Sequence, residues 1–133
     1  MRRALITGVT GFLGKVWLAM VLEHIPEIRR VTVLARGRKG EDAHARMERI
    51  VERHPAFRSL RDKHGAGIWE LFDRKIRVVH TELSQPLAGF SQDEAETLMA
   101  DLDMVVHCTG QDHPSAHAQV YPTDHALAFA ATA

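Results

Sequence analysis

The sequence predicts an α/β fold built on a parallel, doubly wound sheet. Short apolar runs alternate with amphipathic stretches along the whole chain, a glycine-rich turn follows the first run, and a helical stretch opens directly behind that turn.

Ala4 to Ile6 form an apolar run that ends at the glycines and reads as a buried strand. From Phe12 to Ile25 apolar residues are dense, broken by Lys15, Glu23 and His24, and Pro26 closes that helix. Val31-Thr32-Val33-Leu34 is a second strand, followed by a turn at Gly37 and Gly40. Glu41 to His54 set Met47, Ile50, Val51 and His54 at helical spacing, with Pro55 as the stop. Residues 56 to 74 hold Phe57, Leu60, Ile68, Trp69, Leu71 and Phe72 around a Gly65-Ala66-Gly67 break. They read as short helical pieces covering an edge. Ile76 to Val79 make a third strand. Ser91 with Glu94 is a capping box that opens a helix with the stripe Ala95, Leu98, Met99 and Leu102. Met104-Val105-Val106 is the fourth strand, and the alanine-rich stretch Asp124 to Ala133 reads as a helix.

Right-handed crossovers place such strands in the order 3-2-1-4. The expectation is a truncated Rossmann-type sheet of about four strands, the N-terminal part of a dinucleotide-binding domain over residues 1–133. An apolar content of 45% suffices for its core. The cut edge of the fourth strand, lacking a fifth beside it, is an expected route to self-association.

Thr7-Gly8-Val9-Thr10-Gly11-Phe12-Leu13-Gly14 stands between the first strand and the first helix. Gly8 supplies the conformational freedom of a sharp turn. Gly11 leaves no Cβ where a pyrophosphate would approach, and Gly14 allows close helix–strand contact. The free N–H groups around Phe12 and Leu13 then bind the anion. At the end of the second strand an NAD-preferring domain carries an acid for the ribose 2′-hydroxyl. Ala35-Arg36-Gly37-Arg38-Lys39 offers cations and no acid there, which suits a 2′-phosphate, so NADP(H) is the expected cofactor.

Charge and cysteine usage set limits. Lys plus Arg and Asp plus Glu each number 17, so no general pull towards nucleic acid or anionic lipid is expected. The one cysteine, Cys108, excludes an internal disulfide and suits a reducing compartment. No apolar run reaches the roughly 18 to 20 residues of a membrane span. After Met1-Arg2-Arg3 the glycine turn falls where a signal peptide keeps its apolar region. A soluble, cytoplasmic protein is expected.

Together these residues resemble the alcohol-forming fatty acyl-CoA reductases, an extended branch of the short-chain dehydrogenases related to thioester reductase domains. The resemblance runs through Leu5-Ile6-Thr7-Gly8, Gly11 to Val16, Pro26-Glu27-Ile28, Val33 to Arg36 and Arg38-Lys39-Gly40. It continues in Ala45-Arg46-Met47, Phe57 to Leu60, Glu82 to Pro86, Leu87 to Ser91 and Val105 to Cys108. It covers nearly the whole chain but only the N-terminal part of the family's reductase domain. By position it implies that Thr7, Gly8, Thr10, Gly11, Phe12, Leu13 and Gly14 hold the pyrophosphate and that Arg36 and Arg38 meet the 2′-phosphate. Glu82 and Leu83 would lie beside the adenine, and Thr109 and Gly110 along the cofactor's central region. Thr81-Glu82 departs from the family's usual Gly-Asp, Thr109-Gly110 from a pair of alanines, and Asp124 stands near the family's Asn.

The resemblance also implies a catalytic Tyr-x-x-x-Lys pair, in which the lysine lowers the tyrosine pKa. The sole tyrosine, Tyr121, has His125 at the lysine position, no lysine follows Lys75, and the tyrosine reads as a loop residue. His107, Cys108, Asp112, His113 and His117 offer metal-ligand types, but Pro114 breaks any helical pairing and no metal is expected. His107 and Cys108, adjacent on a strand, point to opposite faces and do not form a nucleophile–base pair. Trp17 and Trp69 read as core or cover residues. The implied function is NADPH-dependent reduction of fatty acyl-CoA or a related acyl-thioester to aldehyde or alcohol, represented by its cofactor-binding portion. A catalytically incomplete NADP-binding or interaction module and a nucleotide-sugar epimerase are the alternatives.

Overall fold

The computed structural model describes residues 2–81 and 89–108, together with the backbone of 118–122. In chain order the elements are β1 (Arg2–Thr7), α1 (Phe12–His24), β2 (Ile28–Ala35), α2 (Ala43–Arg53), α3 (Arg58–His64), α4 (Ile68–Lys75), β3 (Ile76–His80), α5 (Gln92–Met99), β4 (Met104–Cys108) and β5 (Ala118–Pro122).

The four expected strands are present, parallel, and in the order β3-β2-β1-β4. β5 was not expected. It pairs antiparallel with the outer side of β4, setting Tyr121 opposite Val105, so Tyr121 is a strand residue rather than a loop residue. The expectation of an unpaired β4 edge is corrected by the same pairing: the chain returns along Met104–Cys108 in the antiparallel sense, which needs no crossover helix. The helix expected over Asp124 to Ala133 lies outside the described residues.

Strand residues alternate between the two sheet faces. One face carries Ala4, Ile6, Val31, Val33, Ile76, Val106 and Cys108 into the main core, beneath α1 to α4. The pieces between α2 and β3 add Phe57, Leu60, Leu71 and Phe72 to it. Phe57 is fully buried, and truncating such a side chain to alanine costs about 3–5 kcal/mol. The other face sets Leu5, Leu34 and Val105 against Met99 and Leu102, at the end of α5 and just beyond it. Cys108 therefore faces away from its neighbour's side of the sheet, as strand alternation requires.

Local chemistry fixes the helix starts. Ser91 and Glu94 form the reciprocal box, each side chain accepting the other's backbone N–H at 3.1 Å. α2 begins after Asp42 rather than at Glu41, because the Asp42 carboxylate accepts the Ala45 N–H at 2.7 Å while Glu41 bonds backward to Arg38. Among the described residues no helix is long and apolar enough to cross a membrane.

Candidate cofactor site

β1 delivers the chain to Gly8, which turns with φ +77°. A Cβ there would lie 1.6 Å from the Cys108 carbonyl oxygen, so the turn presses directly on the end of β4. The Gly11 N–H closes the turn on the Gly8 carbonyl at 3.1 Å, and Gly11 then N-caps α1 in an extended conformation. A Cβ on Gly14 would lie 2.3 Å from the Gly8 carbonyl oxygen and 2.6 Å from Val9 Cα. Only a glycine lets the first helical turn sit this close to the strand exit.

α1 has no side-chain cap and no acid in its first turn. Its first N–H groups, those of Phe12 and Leu13 among them, have no partner within the helix and stand available to an anion. Thr7, buried at the end of β1, is held by His107: Thr7 Oγ1 lies 2.5 Å from His107 Nδ1 across the β1–β4 register. Thr10 stands half-buried in the turn. Glu82, Leu83, Thr109 and Gly110 lie outside the described residues, as do Asp112, His113 and His117. Among the described residues no group of three or more His, Cys, Asp or Glu is placed to hold a metal. Burial raises the Cys108 thiol pKa, which keeps the thiol protonated.

Beyond β2 the chain makes a tight turn in which Arg38 and Glu41 exchange backbone hydrogen bonds of 2.8 and 2.9 Å, with Gly40 at φ +79°. Arg36 and Arg38 are exposed on it. Several further residues converge on this turn. Arg46 of α2 donates from Nη1 to the Arg36 carbonyl at 2.9 Å, and it is only 9% exposed. Its Nε is buried without a hydrogen-bond partner. Burial, then the neighbouring Arg38 and Arg49, push its pKa down. An arginine stays charged throughout, so the direction marks positive charge that the fold leaves under-compensated. The pKa of Lys15, at the start of α1, is lowered by burial and then by Arg46, Arg38 and Arg49, which puts the glycine turn and the basic turn in one electrostatic neighbourhood.

Glu41 is an acid of this neighbourhood, beside Asp42 at the cap of α2. Its carboxylate takes two bonds from Arg49, at 2.8 Å from Nε and 2.9 Å from Nη2, and the hydrogen bonds from Arg49 hold its pKa below the ordinary carboxylate value. Reading the strand end alone found Arg36 and Arg38 but missed Lys15, Glu41, Arg46 and Arg49. A signal was present: the positive N-terminal end of a helix disfavours a cation, yet Arg46 follows the Asp42 cap within the first turns of α2.

The family described as male sterility protein, an NAD-binding family, matches residues 6–129. Fatty acyl-CoA reductase 1 of Homo sapiens is 33% identical over 107 residues, covering 80% of this chain and 20% of that protein. Fatty acyl-CoA reductase 2, chloroplastic, of Arabidopsis thaliana is 28% identical over 106 residues, covering 80% and 17%. Among solved structures, the reductase (R) domain of a non-ribosomal peptide synthetase from Mycobacterium tuberculosis aligns with 84% of this chain and 25% of its own, at 27% identity and a TM-score of 0.63. The PhqB reductase domain from Penicillium fellutanum aligns with 81% and 26%, at 32% identity and a TM-score of 0.57. The chain spans about a fifth of the length of the curated relatives it matches.

Proposed function

The chain belongs to the male sterility protein family of NAD-binding domains, and from that membership we propose that it is the cofactor-binding portion of an NADPH-dependent reductase of acyl thioesters. The observation that carries the choice of NADPH is Arg46, a buried guanidinium with an unpartnered Nε among Lys15, Arg36 and Arg38. A 2′-phosphate supplies negative charge and several acceptor oxygens; a 2′-hydroxyl supplies one neutral oxygen and no charge. The thioester substrate is supported by the relatives, which are named as fatty acyl-CoA reductases and as a peptide synthetase reductase domain.

The residues present fit a dinucleotide. Gly8 and Gly14 bring the backbone into the close turn a pyrophosphate needs, and the first N–H groups of α1 hold it. Arg36, Arg38 and Arg46, with Lys15 beside them, hold the 2′-phosphate. Glu82 and Leu83 are proposed for the adenine edge, and Thr109 and Gly110 for the central region. The chemistry such a cofactor supplies when bound is hydride delivery to a thioester carbonyl. Tyr121 lies in β5 and no lysine follows it, so residues 1–133 contain no Tyr-x-x-x-Lys pair.

Calorimetric titration with NADPH and NADH tests the reading. NADPH is expected to bind at least about tenfold more tightly, the worth of a charge-assisted phosphate contact. Equal affinities, unchanged in Arg46→Gln, would overturn it.

A further inference from the structure

The face of the sheet that carries α5 also carries charge, at the end remote from the glycine turn. Leu5 and Leu34 lie on this face, and alternation puts Arg3 and Arg30 on it too. Val79 packs against the same cluster, so Arg77 joins them from β3. The register aligns them: Arg3 stands opposite Arg30, and Arg77 opposite Thr32, two positions above Arg30. Arg29, Arg74 and Lys75 complete the rim of a cavity of about 570 Å³, with Leu98 and Leu102 as its apolar wall and Thr32 in its lining. That volume is in the range of small-molecule sites.

Among the described residues one acid, Asp101, lines the cavity with these cations. Arg3 reaches Asp101 at 3.4 Å, and both groups are exposed. Lys75 Nζ donates to the Ile28 and Pro26 carbonyls at 3.2 and 3.5 Å. Among the described residues, Arg29, Arg30, Arg74 and Arg77 have no ion-pair partner. Arg74 and Lys75 are accounted for by the C-terminus of α4, where a helix favours cations. Arg77 follows Ile76, the C-cap of α4, and Thr97 and Leu98 bring the last turn of α5 to the cavity, so helix C-termini favour part of this charge; Arg30, within β2, stands at no helix end. Like charges facing each other across strands destabilise a sheet, and this chain has as many acids as bases to distribute.

We propose that this cavity binds a multiply charged phosphate group, at a site separate from the cofactor turn. Arg3 and Thr7 are the two ends of one side of β1, roughly 13 Å apart at the rise of an extended strand. One dinucleotide phosphate cannot engage both ends. The cavity's guanidinium groups supply forked donors that match phosphate oxygens, and Thr32 adds a hydroxyl.

The test uses the chain with NADPH present, so that the glycine turn is engaged. Sodium tripolyphosphate is titrated by calorimetry, and phosphatidylcholine vesicles with and without phosphatidic acid are tested by co-sedimentation. The comparison is with Arg30→Gln/Arg77→Gln, and the difference between the two chains isolates the cavity whatever the turn binds. The wild-type chain is expected to bind in one arm or both, and the double variant to bind at least about tenfold more weakly there. Binding in the first arm marks a free phosphate compound as the source, binding in the second a lipid headgroup. Without either probe, the double variant is expected to melt at the same temperature or higher, because repulsion is relieved. No binding in either arm, binding equal in both chains, or a lower melting temperature in the variant would overturn the proposal.

Discussion

Thr7 and His107 are bonded side by side where β1 and β4 end, Thr7 Oγ1 lying 2.5 Å from His107 Nδ1. The bond ties the strand that feeds the glycine turn to its neighbour. Thr7→Val keeps the shape and removes the hydroxyl, at an expected cost of about 1 kcal/mol in urea unfolding. NADPH binding should weaken with it, while Thr7→Ser preserves both. A Thr7→Val chain as stable as the wild type would show the bond to be idle.

Two glycines in one turn should fail differently. Gly14→Ala drives a Cβ into the Gly8 carbonyl and Val9 Cα, backbone that cannot yield. The expected loss is about 1–3 kcal/mol of stability, read as a lower melting temperature. Gly11 caps α1 with φ −82°, open to any residue. Gly11→Val is therefore expected to melt nearly as the wild type and to lose NADPH binding. The same affinity in both chains would remove the turn as a phosphate site.

Arg46 and Glu41 should move cofactor preference in opposite directions. Arg46→Gln is expected to weaken NADPH roughly tenfold or more and to leave NADH almost unchanged. Glu41→Gln releases Arg49 and makes the turn more positive, so NADPH should bind a few-fold more tightly. Parallel titrations of the two cofactors check both. Equal losses for NADPH and NADH in Arg46→Gln would mean that it supports the fold rather than the phosphate.

His54 gives the stability a pH dependence. Burial, then Lys15 and Arg61, hold its pKa below 6.5, and its Nδ1 accepts the Ala56 N–H at 3.1 Å, which needs the neutral ring. A depressed folded value means stability that is fully present above 6.5 and is lost as pH falls through the folded value. Thermal melts should decline between about pH 7 and pH 5. In His54→Asn, which keeps a cap acceptor that does not titrate, the decline should be smaller. An identical decline would place the effect elsewhere.

The parallel sheet was legible because each strand is an apolar run bounded by turn residues, and because the glycines of the turn have backbone duties that spacing alone reveals. The capping box at Ser91 was legible for the same reason: its partners are neighbours in sequence. β5 was not. Ala118–Pro122 carries no strong alternation, and its place is set by pairing with β4. The basic cluster was half legible. Arg36 and Arg38 follow β2 directly, whereas Lys15, Arg46 and Arg49 join them only once α1 and α2 pack on the same face, a tertiary fact. Glu41 was missed because its bridge to Arg38 and its pairing with Arg49 fold it back over the strand end.

Among the described residues the two sheet faces are not equally held. Four helices lock one face through the main core, while α5 rests on a cluster of five buried residues and its own capping box. Among the described residues fewer buried side chains hold that helix than hold the other face, so its amides should exchange with solvent through a local excursion cheaper than global unfolding. The amides of β1 and β2 should wait for the whole domain to open. The glycine turn hangs from β1, and its shape should therefore persist through every such excursion of the opposite face.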